Sequence, residues 1–150
     1  MLDGLPLHPL MVHAAVVLLA ANGGALILAV AVPRFRRWLS WGLPALGVLT
    51  AITTWITRLQ GEVFLGNREM VGVLGDHAHW GAWAGIASIV LGITTVVYWL
   101  TWLKPITSRM PWLGSLPARV VVAVLAVGVA LAGITVDVLA GHSGATSVWG

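Results

Sequence analysis

The stretch Leu10–Val32 reads LMVHAAVVLLAANGGALILAVAV, with one histidine, His13, near its start and no charged side chain. A helix needs roughly 20 mostly apolar residues to cross the hydrocarbon core of a bilayer, and this stretch supplies them. Three further stretches read the same way, at about Trp41–Thr57, Ala78–Leu103 and Val120–Ala140, the last with Asp137 near its end. The whole chain, 150 residues, is 59% hydrophobic and 9% charged, with a mean hydropathy of +0.95. Its polar residues are too few to cover a water-facing surface. That excludes an ordinary soluble enzyme, a disordered chain and a nucleic-acid binder. The high pI rests on eight Lys and Arg against five Asp and Glu, too few charges to define a partner. There is no cysteine, so thiol catalysis, disulfides and iron–sulfur ligation are excluded. Asp3 stands where a cleavable signal peptide would carry basic residues, so the first apolar stretch is expected to remain as a span.

Charge placement orients the spans. Arg34, Arg36 and Arg37 follow the first, and Lys104, Arg109 and Arg119 lie between the third and fourth. The opposite side carries Arg58 and Arg68. Basic residues accumulate in cytoplasmic loops, so both termini and the loop from about Gln60 to Asp76 are expected outside. Trp38, Trp41, Trp99, Trp102 and Trp112 then mark the inner interface, and Trp55, Trp80, Trp83 and Trp149 the outer one, where indoles anchor helices. Pro33, Pro105, Pro111 and Pro117 punctuate the inner turns. The expected fold is all-α: one transmembrane domain over residues 1–150, an up-down four-helix bundle with short connections.

All five histidines, His8, His13, His77, His79 and His142, fall at the outer ends of these spans. His142 is expected just past the end of the fourth. At about 100° per residue, His77 shares a face with Gly81, Gly85, Ser88 and Gly92, while His79 points away with Trp83, Ile86 and Val90. His13 aligns with Ala20, Gly24 and Ala31; Arg58 with Gly47, Ala51 and Thr54; Asp137 with Ala126, Ala130 and Gly133. Small-residue stripes face neighbouring helices in lipid. The expectation is that His13, His77, Arg58 and Asp137 point into the bundle near its outer mouth. Ionisable groups within spans are costly and mark function. The plainer reading is packing, with interfacial anchors, Asp76 as the N-cap of the third span and Asp137 paired with Arg58.

Imidazoles beside small residues suit haem b, which needs axial ligands and flat room between helices. The expected axial pair is His13 and His77, then His142, with His79 and His8 behind. Arg58, or Arg68, would meet a propionate, and Asp137 or Asp76 would orient a ligand imidazole. Such a protein would pass single electrons near the outer leaflet, to or from quinol or a periplasmic redox protein. A second reading is a bare metal site. His8, Met11 and His13 with His77 and His79 suit copper, zinc or non-haem iron. If the third span starts at Ala78, His77 is free of the helix and both of its histidines can face one ion. A third reading is a cofactor-free accessory subunit of a larger respiratory-type complex, or a homo-oligomer. A stand-alone enzyme has less support, since no nucleophile–base–acid arrangement is visible. Lipid is a partner on every reading.

The two ends carry a resemblance. Leu7-His8-Pro9-Leu10-Met11-Val12-His13 and Gly141-His142-Ser143-Gly144-Ala145 resemble a family of uncharacterised bacterial four-helix membrane proteins. These open with His-Pro-x-x-x-His and close with Gly-His (or Tyr)-x-Gly-Gly. The resemblance implies a multi-pass protein of the bacterial inner membrane, similar in layout to small b-type cytochromes, with possible Rieske-type or other redox company. It also implies that His8, His13 and His142 are the family's positions. This chain departs from the pattern at Ala145, in place of the second glycine. It also lacks the acidic residue expected late in the second span, where Thr53, Thr54 and Arg58 stand.

Overall fold

A computed structural model describes residues 7–65 and 75–149, with side-chain surroundings for 11–61 and 76–146. Arg68 and the side chains of His8 and Trp149 lie outside the described residues. Among those described, all regular structure is helical: α1 (Leu7–Ala31), α2 (Pro33–Leu39), α3 (Gly42–Leu65), α4 (Gly75–Leu100), α5 (Lys104–Thr107) and α6 (Leu116–Trp149).

Proline sets the first break. Val32 is extended, at φ −121° and ψ 98°, because the ring of Pro33 disfavours helical geometry in the residue before it. The short α2 then ends at Ser40, which has φ 44°, and α3 leaves at 72° to α2. Pro105 lies in the first turn of α5, where its missing N–H costs nothing.

Met11–Ala31, Asp76–Leu100 and Leu116–Thr146 are each long and apolar enough to cross a membrane. The bent pair α2 with α3 qualifies only when taken together, which makes three or up to four such helices. The threonines of α3 dilute its apolar character. Three expected boundaries are corrected. α3 continues past Thr57 to Leu65. α4 begins at Gly75, so Asp76 sits inside its first turn rather than capping it. α6 runs to Trp149, so His142 is within the helix rather than beyond it.

The four long helices are neighbours in the order α1–α3–α4–α6, with α6 returning to α1. α1 and α4 touch lightly across this arrangement. Leu19, Leu26, Leu43, Leu91, Tyr98, Ala126 and Ala130 fill the centre, all at most 1% exposed. Outward stand Val17, Ile52, Val90, Ile93, Val124, Leu131 and Val138. Apolar rows of this extent are consistent with helices that cross a membrane.

Close helix approach depends on particular residues. A Cβ on Gly92 would lie 2.8 Å from the Gly47 carbonyl oxygen, so the α3–α4 backbones meet where neither has a side chain. Several buried hydroxyls cost little because they bond back to their own helix, whereas the Thr54 hydroxyl is buried with no partner among the described residues. Thr50 reaches Leu46 O at 2.7 Å, Thr57 reaches Thr53 O at 2.8 Å and Thr95 reaches Leu91 O at 2.8 Å. Asn22 is fully buried, with Oδ1 3.3 Å from the Thr95 hydroxyl.

Candidate functional site

His77 lies in the second residue pair of α4, half-buried, and its ring turns toward α6. Its Nδ1 is 3.1 Å from the Ala140 carbonyl oxygen. A carbonyl only accepts, so this contact requires the proton on Nδ1 and leaves the Nε2 lone pair available. The imidazole reaches that position because residue 144 is glycine: a Cβ there would lie 3.0 Å from the His77 Cε1 and 3.1 Å from its Nδ1. Ser143 donates its hydroxyl to the same carbonyl at 3.0 Å. The turn of α6 from Ala140 to Gly144 thus holds His77 through the Ala140 backbone oxygen and the missing side chain of Gly144.

The inward faces expected for three helices are found. Gly85, Ser88 and Gly92 are buried below His77 on α4, and Gly47 and Thr54 are buried below the half-buried Arg58 on α3. Ala126, Ala130, Gly133 and Asp137 are buried on α6. Arg58 lies with its guanidinium 4.7 Å from the Trp55 ring centroid. Its stem presses on Gly85, where a Cβ would meet Cδ at 2.6 Å. Asp137 is 5% exposed. Arg58 belongs to α3, which is diagonal to α6.

Other expectations are corrected. His13 is exposed, as are Ala20 and Ala31 on its face. The buried row of α1 is Ala15, Leu19, Asn22, Leu26 and Ala29. Gly23 is buried with this row, against Ile134 of α6, so α1 turns a mixed row of leucines and small residues inward, while Val17 and Leu28 stand outward with His13. His13 therefore does not point into the helix assembly beside His77. His79 and His77 are both helical and face apart. His79 is exposed, edge-on to Trp80 at 5.5 Å and to Trp83 at 6.4 Å, so the two cannot face one ion in this geometry. His142 is exposed on α6. His77 is oriented by the Ala140 carbonyl, a role expected of Asp137 or Asp76. Among the described residues, no three of His, Asp and Glu converge as a metal-binding group.

The two features that sequence reasoning missed are Ala140 and Gly144. The one available signal was the glycine itself: a helical residue of poor propensity in a closing motif whose histidine drew attention first. Comparison with family models, curated proteins and solved structures returns no match.

Proposed function

We propose that this chain is a small haem b-binding protein of the bacterial cytoplasmic membrane, with His77 as an axial ligand through Nε2. The observation that carries the reading is the His77 Nδ1 contact with the Ala140 carbonyl. Histidines that bind metals characteristically donate their other ring N–H to a carbonyl or carboxylate, which fixes the tautomer and raises ligand basicity. The four long helices form an up-down bundle, with the ends bearing His77 and Gly144 on the outer side. The charge distribution supports this orientation: 32–42 and 101–119 contain six basic residues and no acidic one, as inner connections do.

Haem bound there supplies one-electron chemistry at the outer leaflet. Quinol or a periplasmic redox protein is the partner class within reach of that face. Arg58 is the cation on the inward face of α3 that would meet a propionate, in exchange for its present contacts, that with Trp55 among them. The exposure of His13 removes the argument for an interior His13–His77 pair, so the second axial position is assigned to no residue.

The test is an absorption spectrum of the detergent-purified full chain, oxidised and then dithionite-reduced. The expected result is a Soret band that shifts on reduction, lost in His77→Ala while the helical circular dichroism persists. A featureless spectrum from cells supplied with haem refutes the reading, as does full haem retention in His77→Ala.

A further inference from the structure

A second cluster occupies the opposite end of the helices, where α2 and α5 lie. Arg36, on α2, donates from Nη1 to the Tyr98 hydroxyl at 2.9 Å and approaches Ala29 O at 3.4 Å. Tyr98, 1% exposed, donates in turn to Ala29 O at 2.9 Å. Arg119, on α6, donates from Nε to Thr101 O at 3.1 Å. Both guanidiniums rest on one indole: Cζ of Arg36 is 3.6 Å, and Cζ of Arg119 4.0 Å, from the Trp102 ring centroid.

Two cations held on one ring repel each other. A cation–π contact is a weak attraction, and one indole does not neutralise two charges. No carboxylate is at hand, because 32–42 and 101–119 contain no Asp or Glu. Yet both arginines are half-buried and their guanidiniums are tied to Tyr98 and Thr101, rather than free to separate. Each has donors left over, since a guanidinium carries five N–H groups. Two planar forks on one ring match the several acceptor oxygens of a phosphate group. Helices of this length place the cluster at a membrane edge, where the phosphates are those of lipid headgroups.

We propose that Arg36 and Arg119 clasp the headgroup phosphate of an anionic phospholipid against Trp102. The site rests on the membrane-spanning character of the helices and not on the haem reading, because His77 lies at the other end.

The test uses the purified full-length chain in non-ionic detergent, titrated with phosphatidylglycerol, phosphatidylcholine or inorganic phosphate. Lipid retention is followed by native mass spectrometry, and thermal unfolding in parallel. Phosphatidylglycerol is expected to be retained and to raise the unfolding temperature, and phosphatidylcholine to do neither. Replacing both arginines, Arg36→Gln with Arg119→Gln, should weaken phosphatidylglycerol binding about tenfold or more. Arg34→Gln with Arg109→Gln removes the same charge from exposed positions and should leave binding within about twofold. Should the first pair not fold, Arg36→Lys with Arg119→Lys keeps the charge and loses the planar fork, and weaker binding is again expected. Equal binding by the two Gln pairs, lysine variants that bind like the parent, or equal response to the two lipids overturns the proposal. Stabilisation by inorganic phosphate equal to that by phosphatidylglycerol overturns the lipid as the source of the phosphate.

Discussion

Gly141 and Gly144 lie one turn apart on α6, and their replacement by alanine separates packing from helix propensity. Alanine in a helix interior is favoured over glycine by about 1 kcal/mol. At Gly141 nothing lies within 4 Å of the added methyl, so Gly141→Ala should realise that gain. At Gly144 the methyl would stand 3.0 Å from the His77 Cε1 and 3.1 Å from Nδ1, and the ring must retreat. The Nδ1–Ala140 contact is already 3.1 Å, near the long end of an effective hydrogen bond. A retreat of a few tenths of an ångström forfeits it, at a net cost of about 1 kcal/mol. Gly144→Ala should therefore be close to the parent in stability, and about 1 kcal/mol below Gly141→Ala. The assay is thermal unfolding of both variants, with nitrogen NMR of histidine-labelled protein to read the ring protons, His77→Ala identifying the signal. The parent and Gly141→Ala should show His77 protonated at Nδ1, and Gly144→Ala a mixture of tautomers. If haem is bound, its affinity should fall by about tenfold or more in Gly144→Ala alone, as for loss of an outer-shell partner. Two variants alike in stability and in the His77 signal would refute the argument.

Three further substitutions test other parts of the structure. Ser40, at φ 44° and ψ −113°, occupies backbone space that favours glycine, so Ser40→Gly should stabilise the chain by about 1 kcal/mol in chemical or thermal unfolding. Gly92→Ala places a methyl 2.8 Å from the backbone oxygen of Gly47. The α3–α4 pair must separate, and a lower unfolding temperature corresponding to about 1–2 kcal/mol is expected even after the helix gain. His79→Ala and His142→Ala remove exposed side chains and should leave the absorption spectrum unchanged, in contrast to His77→Ala; loss of the Soret band in either would move the site to the outward face.

The helical class and the long apolar runs were legible because a bilayer-crossing helix demands such runs, and composition alone reports them. The inward faces of α3, α4 and α6 followed from the period of the helix combined with small residues: Gly47, Gly92 and Ala130 are buried as the wheel predicts. The same logic misplaced α1. Its small stripe runs through His13, Ala20 and Ala31, but the central space required Leu19, Leu26 and Asn22, and a wheel holds no information about volume on the facing helices. Helix ends were misjudged for a related reason. His142 was set beyond α6 because apolar character fades after Ala140, whereas hydrogen bonding continues the helix to Trp149. The Ala140 carbonyl was invisible, since a backbone oxygen has no signature in a list of residues. The Trp102 cluster was hidden in another way: Arg36 and Trp102 each read singly as an interfacial residue, and their meeting with Arg119 depends on how α2 folds back after Val32.

The two clusters lie at opposite ends, and what separates them limits what the protein can do. Between His13 and Arg34 on the first span, and between Arg119 and Asp137 on the last, no side chain titrates. The buried polar side chains in that interval are Thr50, Thr54, Ser88, Asn22 and Thr95; the hydroxyls of Thr50, Ser88 and Thr95 are bonded to carbonyls of their own helices, while Thr54 Oγ1 and Asn22 Nδ2 have no hydrogen-bond partner among the described residues. Leu19, Leu26 and Leu91 close the centre at 0% exposure. A charge entering there would shed its hydration with no ionisable partner to replace it, at a cost of several kcal/mol or more. On the readings proposed above, chemistry at His77 and lipid binding at Trp102 would be separate functions at the two ends of one helical frame. A proton or ion path joining them would require the leucine layer to open, and Leu91→Ala, which would thin it, should create no conductance in liposomes if that layer is structural alone.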